Sequence, residues 1–179
     1  MITVSKGVCA AKGFRAGGVH CGIRKNRTKR DLSLILSSVP ASAAAVYTRN
    51  LVKGAPIYVT KENLKDGKAQ AVIINSGNAN TCNANGIEIA EGMCALVSEH
   101  LGIDSSLVVV ASTGVIGQPL DIEPIKNGMP SLIDAVSEDG NMEAAEGIMT
   151  TDTVVKEQCH AGPFAAVDFQ GIIQGSGDW

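Results

Sequence analysis

Aromatic residues are scarce in this sequence, where phenylalanine, tryptophan and tyrosine together make up 3% of 179 residues. The apolar fraction is nonetheless ordinary, because alanine, valine and isoleucine supply most of it, alongside 20 glycines. Small and β-branched side chains suit closely packed layers of sheet and helix. The composition therefore favours an α/β protein over a helical bundle or a disordered chain.

Long apolar runs are also missing. No stretch approaches the ~20 apolar residues that a membrane-spanning helix needs, and the first residues, MITVSKGVCAAKGF, lack the apolar core of a secretory signal. The net charge of −3 is made of mixed signs, which gives no electrostatic reason to expect nucleic acid or an anionic membrane as partner. We predict one cytoplasmic domain over residues 1–179, with no internal boundary.

Sequence signals for cofactors and metals are absent as well. The five cysteines are odd in number and none forms a CxxC pair, so we expect reduced thiols, with a metal site as the less favoured alternative. Neither a GxGxxG turn, a P-loop lysine nor a GxSxG elbow occurs. The sequence predicts no cofactor and no metal.

Hydrophobic periodicity predicts a mixed order of strands and helices. A helix over 87–101 is the clearest element, since Ile87, Ala90, Cys94, Val97 and Leu101 form one apolar stripe. Asn85 and Gly102 are its expected caps. Strands are predicted at 32–36, 43–48, 56–60, 70–75, 106–112 and 154–155, and as a pair within 164–173. Two short helices are predicted within 121–136, with Pro124 and Pro130 at their starts. A last helix is predicted at 142–148, with Asn141 as its cap.

The basic run at 24–30 connects two predicted strands. Its simplest interpretation is a solvated hairpin tip, and a phosphate-binding patch is the alternative.

Three polar segments follow apolar elements and are the candidates for chemistry. NSGNAN at 75–80 is interpreted first as a turn bonded to itself, because asparagine side chains readily bond to nearby main chain. STGVIG at 112–117 follows a strand and can present a hydroxyl and a backbone N–H, the donors that an oxyanion hole requires. MTTDT at 149–153 either caps a helix or fixes a polar substrate.

These segments, taken together and in order, resemble one enzyme family. KGFRAGGVH at 12–20, NSGNAN at 75–80, ASTGVIG at 111–117 and IMTTDT at 148–153 are similar to the bifunctional ornithine acetyltransferase / glutamate N-acetyltransferase (ArgJ) family of arginine biosynthesis. The resemblance runs from Gly7 to about Glu157. It implies an α/β (α+β) fold, a layered α-β-β-α sandwich with mixed sheets of the DmpA/ArgJ type.

The resemblance also implies a mechanism. Family members cleave themselves into α and β chains, and the new N-terminal threonine of β takes the acetyl group from N2-acetylornithine and passes it to glutamate. Such a threonine is activated when a base, here its own amine, removes the hydroxyl proton. By position, Thr113 and Gly114 match the oxyanion pair, and Thr150 with Thr151 matches a substrate-binding segment. An α2β2 assembly is implied.

The sequence departs from the family near its end. Where the family has a lysine that contacts substrate, before Gly-Ser-Gly, this chain has Gln174, which can accept or donate a hydrogen bond but carries no charge. The sequence stops at Asp178-Trp179, before the Ala-Thr cleavage site, so the nucleophile is expected on a separate β chain and the isolated chain is expected to be inactive. Two alternatives stay open: a non-catalytic truncated relative, and half of a self-processing aminopeptidase with an N-terminal nucleophile.

Overall fold

The computed structural model describes residues 2–3, 5–156, 159–161 and 167–169. Seven strands and four α-helices lie in these ranges. In chain order they are β1 (Ile2–Thr3), β2 (Phe14–Val19), β3 (Leu32–Ser42), α1 (Ala55–Asn63), β4 (Lys68–Asn78), α2 (Gly86–Leu101), β5 (Val108–Val115), α3 (Glu123–Ala135), α4 (Asn141–Ile148), β6 (Cys159–Ala161) and β7 (Val167–Phe169).

The larger sheet has the strand order β2-β3-β4-β5. Its first two pairs are antiparallel and its last pair, β4 with β5, is parallel, joined by the crossover helix α2 as parallel strands require. The short strands β1, β6 and β7 form a second, antiparallel sheet. The predicted class, mixed sheets with helices, is confirmed.

Helices cover both faces of the larger sheet. One face carries the main core, where Leu32, Leu34 and Ile73 pack against side chains of α1, α2 and α3. The other face meets α4, because a Cβ on Gly18 would run into the Glu143 carbonyl of that helix. A Cβ on the neighbouring Gly17 would instead run into the backbone at Ala135, the last residue of α3. Because neighbouring strand residues point to opposite faces, these two contacts place α4 across the sheet from the end of α3.

The predicted helix over 87–101 is confirmed as α2. Asn85 precedes it, and Gly102 closes it in the left-handed conformation (φ 65°) with its N–H donating to the Ser98 carbonyl. Cys94 is 2% exposed and packs in the core as predicted, whereas Ile87 is exposed and lies outside the apolar stripe. Ile89 and Met93, which the predicted stripe does not include, are buried on the inward side of α2.

Two strand predictions between β3 and β4 are wrong. Residues 56–60 form part of α1, because Pro56 fits the first helical turn and Thr60 exchanges hydrogen bonds with Val110 of β5 (2.8 and 3.0 Å). Residues 43–48 have no strand structure, and Val46 is 99% exposed. Alternation of apolar residues there reflects neither a sheet partner nor a buried face.

The prediction of two helices within 121–136 is also wrong, because α3 continues through Pro130. Proline removes one helical hydrogen bond, at a cost of up to ~3 kcal/mol in a helix interior. Ile125, Met129 and Leu132 are completely buried on the inward side of α3, while Pro130 is exposed. Burial of three large side chains therefore outweighs the lost bond.

Three further predictions concern the last third of the chain. The helix predicted at 142–148 is confirmed as α4, with Gly140 rather than Asn141 at its N-cap. Residues 154–155 form no strand. Within 164–173 only β7 is described, and the other residues of that predicted pair lie outside the described ranges.

Cys94 is buried, Cys21 is half-buried and Cys82 is exposed, and these three are free thiols. Burial, with the Asp31 carboxylate as second cause, raises the pKa of Cys21 to about 12, and burial raises that of Cys94 to about 12. None of the helices in the described residues is long and apolar enough to cross a lipid bilayer.

Candidate active site

The first two polar segments meet where β4 and β5 end. In the parallel register, Ser76 pairs with Thr113 and Gly77 pairs with Gly114, so NSGNAN and STGVIG lie side by side. The Thr113 side chain is 6% exposed and shares the α4 face of the sheet with Ser76. Sequence order alone does not show this contact, because 37 residues separate the two motifs; the parallel pairing creates it.

Two glycines allow the strands to approach closely at this end. Gly114 has φ +133° and Gly77 has φ +99°, which are conformations that side chains disfavour. A Cβ on Gly114 would lie 2.6 Å from the Asn78 nitrogen and 2.7 Å from the Gly77 oxygen. The space beside Gly114, which lies within β5, is therefore filled by main chain, and Gly114 adds no side chain there.

Asparagine side chains hold this turn in place. Asn78 donates from Nδ2 to the Gln118 and Pro119 carbonyls (3.1 and 3.2 Å), and its Oδ1 accepts from the Asn80 N–H (2.8 Å). Asn75 Nδ2 donates to the Asn78 carbonyl at 2.9 Å. The prediction of a turn is wrong for residues 75–78, which form the end of β4, but the predicted bonding of this segment to its own main chain is confirmed, and Asn78 also holds the main chain at 118–119.

The third segment reaches the same end of the sheet through Arg24. Arg24 Nη2 donates to the Thr150 carbonyl at 3.1 Å, and a Cβ on Gly77 would lie 2.8 Å from Arg24 Cγ. One side chain thus contacts both the end of β4 and the second residue after α4. Thr151 is exposed, and its neighbour Asp152 pairs with Lys156 at 2.6 Å, a hydrogen bond that lowers the pKa of Asp152.

Arg24 was not identified as a site residue from the sequence, where it begins the basic run at 24–30. Residues 25–29 are exposed, as predicted for a hairpin tip, and Arg30 pairs with Glu146 at 2.6 Å. Arg24 differs because its backbone N–H donates to the buried Asp31 carboxylate (2.8 Å). No sequence signal in the basic run distinguishes Arg24 from its neighbours. The position of Asp31 directly before the apolar strand β3 is the one feature that points to a buried carboxylate nearby.

Asp31 organises the whole connection between β2 and β3. Its carboxylate is fully buried and accepts from the backbone N–H groups of Cys21 (2.6 Å), Gly22 (3.3 Å) and Arg24 (2.8 Å). His20 Nδ1 lies 3.2 Å from the same carboxylate. The main-chain carbonyl of Asp31 accepts a hydrogen bond from the Ser76 N–H (2.9 Å), which joins the loop to β4.

Several buried polar atoms around these strand ends lack a hydrogen-bond partner among the described residues. They are Asn75 Oδ1, Ser76 Oγ, Ser112 Oγ and Arg24 Nη1. Native proteins leave few such groups, because each costs about 1–3 kcal/mol. These four atoms lie around the ends of β4 and β5, which makes the region a candidate functional site.

The remaining predicted residue, Gln174, lies outside the described ranges. Within those ranges no group of three or more histidine, cysteine, aspartate or glutamate side chains is placed to hold a metal ion.

Comparison with known proteins gives the family of the chain. Residues 15–178 match the ArgJ family. The chain is 44% identical over 174 residues to the arginine biosynthesis bifunctional protein ArgJ of Bacillus anthracis, covering 95% of this chain and 42% of that protein. It is 45% identical over 178 residues to the ArgJ protein of Gloeobacter violaceus, covering 97% and 44% respectively. The chain therefore spans less than half the length of the curated relatives it matches.

Solved structures give the same result. The crystal structure of ArgJ from Bacillus halodurans superposes with a TM-score of 0.82 at 42% identity, over 88% of this chain and 83% of that one. The structure of ornithine acetyltransferase from Mycobacterium tuberculosis, complexed with ornithine, superposes with a TM-score of 0.80 at 36% identity, over 86% and 84%.

The fold and the paired motifs place this chain in the class of mixed α/β proteins to which the solved ornithine acetyltransferase belongs. More narrowly, the chain belongs to the ArgJ family.

Proposed function

We propose that the chain is the α part of a glutamate N-acetyltransferase / ornithine acetyltransferase, which acts with a β chain that carries an N-terminal threonine. The observation that supports the proposal is the pairing of Thr113 and Gly114 with Ser76 and Gly77 at the ends of β4 and β5, next to the Arg24 side chain that donates to the Thr150 carbonyl. Enzymes of acyl transfer need donors that are fixed before reaction at the position where negative charge develops.

The proposed chemistry has two balanced half-reactions. The β-chain threonine Oγ attacks the acetyl carbonyl of N2-acetylornithine while the threonine amine takes the hydroxyl proton. Thr113 and Gly114 stabilise the negative oxygen of the tetrahedral intermediate, which collapses as the C–N bond breaks and ornithine leaves with the proton. Glutamate then attacks the acetyl-threonine ester through its neutral amine, passing through a second oxyanion in the same place. The C–Oγ bond breaks, N-acetylglutamate leaves, and the proton lost by the glutamate amine returns to the threonine Oγ.

Thr150 and Thr151 are proposed to contact the amino-acid portion of the substrates, together with Gln174. Thr150 is half-buried beside the β4 end, whereas Thr151 is exposed, so the direct contact falls first to Thr150. A glutamine at 174 supplies hydrogen bonds without charge, so weaker substrate binding than with a lysine is expected.

The comparison of lengths supports a two-chain enzyme. The chain covers 83% of the Bacillus halodurans chain in its crystal structure but only 42% of the curated Bacillus anthracis protein. A polypeptide of about this chain's size is therefore present as a separate chain in a solved relative. An α2β2 assembly in the cytoplasm remains part of the proposal.

The proposal is tested by producing the chain with the β chain of a relative and supplying N2-acetylornithine labelled in the acetyl group. We expect label on glutamate, and none when the chain is assayed alone. Release as free acetate would favour the aminopeptidase alternative. Neither product from a stable complex would favour a non-catalytic relative. A β chain with its N-terminal threonine changed to alanine is the matched control.

A further inference from the structure

Arg24 is the residue of the site whose contacts no sequence motif explains. Its backbone is fixed by the fully buried Asp31 carboxylate, through the 2.8 Å bond from the Arg24 N–H. Asp31 is itself joined to β4 by the bond between its carbonyl and the Ser76 N–H. The root of the Arg24 side chain is therefore held at a constant position relative to the end of β4.

The side chain then connects two parts of the proposed active site. A Cβ on Gly77 would lie 2.8 Å from Arg24 Cγ, so the arginine side chain occupies space that the glycine leaves open. Further along the side chain, Arg24 Nη2 donates to the Thr150 carbonyl at 3.1 Å. Gly77 is the register partner of Gly114. Arg24 thus connects the strand end that pairs with Thr113 and Gly114 to the segment at 149–153 that is proposed to bind substrate.

The segment at 150 lies in a part of the chain without helix or strand. It follows α4, whose last residue is Ile148, and it precedes residues 151–156, which are mostly exposed and without helix or strand. A charged guanidinium that donates to a carbonyl is worth more than a neutral hydrogen bond, about 1.5–3 kcal/mol. That bond is strong enough to select one position of Thr150 over others.

The charge on Arg24 is not explained by an ion pair. Its Nη1 is buried without a hydrogen-bond partner, and it pairs with no carboxylate within the described part of the chain. Arg30, in the same loop, has Glu146 as partner at 2.6 Å. Burial of an incompletely satisfied guanidinium costs stability, which argues that its position serves the site rather than the fold.

We propose that Arg24 is a positioning residue for acetyl transfer, which holds Thr150 in register with the Thr113–Gly114 turn so that one substrate meets both. This inference rests on the proposed function. It adds a residue from the β2–β3 loop to a site otherwise built from β4, β5 and the segment after α4. A misplacement of 1 Å in such a site can cost ~100-fold in rate.

The experiment compares Arg24→Met, Arg24→Lys and the control Arg30→Met in the complete enzyme made with a β chain. Arg24→Met keeps the bulk of the side chain but removes every donor, so we expect the KM for N2-acetylornithine to rise and kcat/KM to fall by tenfold to ~100-fold. Arg24→Lys keeps a donor for the Thr150 carbonyl and is expected to recover most of the loss. Arg30→Met is expected to lower Tm with KM unchanged.

The readouts separate positioning from a structural role. A structural role would reduce the fraction of active enzyme, which lowers kcat at constant KM and lowers Tm in parallel. The proposal is overturned if Arg24→Met leaves KM unchanged, or if Arg24→Lys is as impaired as Arg24→Met. Should Arg24→Met fail to fold, Arg24→Leu, which also lacks a side-chain donor, replaces it and the same KM criterion applies. An inactive wild-type complex would instead reject the proposed function and this inference with it.

Discussion

Gly114 meets Gly77 across the parallel pair β4–β5, so that main chain fills the space at the end of the sheet. Backbone amides cannot be withdrawn or rotated away as side chains can. In the proposed mechanism a donor built from this part of β5 is fixed before substrate arrives, which lowers the cost of forming an oxyanion.

Gly114→Ala tests this arrangement. The added Cβ would collide with the Gly77–Asn78 peptide, whose atoms lie 2.6–2.7 Å away, so the turn must move. We expect kcat in the complete enzyme to fall by ~100-fold or more, the range for loss of one oxyanion donor.

Gly117→Ala is the matched control for that change. Gly117 also has positive φ (+76°), but a Cβ there would meet nothing within 4 Å. It should cost about 1 kcal/mol of stability and little activity. Equal activity of the two variants would show that the Gly77–Gly114 approach does not serve catalysis.

Cysteine reactivity is a second residue-scale prediction. The pKa of Cys21 and of Cys94 is raised to about 12, so both stay protonated through neutral pH and lose the proton only as pH rises toward that value. At pH 8 the thiolate fraction of each is ~10⁻⁴. Native chain treated with iodoacetamide should be labelled at the exposed Cys82 first, as measured by peptide mass spectrometry.

Unfolded chain is the control for that labelling, because Cys21 and Cys94 should then react as ordinary thiols. Rapid alkylation of either one in the native chain would contradict the burial that raises their pKa values.

At the scale of elements, α3 shows how packing overrides a local signal. Proline at 130 has no N–H to donate to the carbonyl of Lys126, yet the helix continues, because its inward residues are fully buried. Pro130→Ala should restore the missing bond and raise the free energy of unfolding by about 1–2 kcal/mol, less than the full helix propensity difference because the unfolded chain gains entropy.

Pro124→Ala is the control for that substitution. Pro124 lies in the first turn of α3, where its N–H would have no helical partner, so the change should not stabilise the chain. Thermal unfolding of both variants measures the difference. Equal Tm shifts would mean that Pro130 costs the helix nothing.

The same contrast explains which elements could be predicted from the sequence. The helix α2 was predictable because its apolar spacing, its leading asparagine and its closing glycine all agree. The helix α1 was not, since Pro56, Val59 and Thr60 also suit a strand, and the deciding interaction is the bond between Thr60 and Val110, 50 residues away. Local propensity is a weak guide wherever a long-range contact decides the structure.

For the candidate site, the motifs at 75–80 and 112–117 could be found from the sequence, and so could the resemblance that links them. Their contact depends on the register of β4 with β5, which periodicity does not specify. Arg24 could not be found, because its role depends on the bond from its backbone to Asp31 and on the missing side chain at Gly77.

At the scale of the whole molecule, the stretch between β3 and α1 exposes apolar side chains. Val46 and Leu51 are 99% and 92% exposed, with Val52 at 63%. Contiguous exposed apolar residues promote association. Val46→Ser combined with Leu51→Ser should lower the light scattering of concentrated chain while leaving Tm within about 2 °C, because neither side chain contributes to the core.

Val97→Ser is the contrasting variant, since Val97 is completely buried in α2. It should lower Tm and increase aggregation. Unchanged scattering of the double variant would show that this stretch does not drive self-association.

The anchoring of the β2–β3 connection by Asp31 has a practical consequence. The carboxylate fixes residues 21–24 at the base of the loop, whereas residues 25–29 extend beyond it into solvent. Exposed tips on a fixed base accept additional chain readily. An epitope or a fluorophore-bearing peptide introduced within 25–29 would report on the assembled enzyme without displacing the arginine that precedes it.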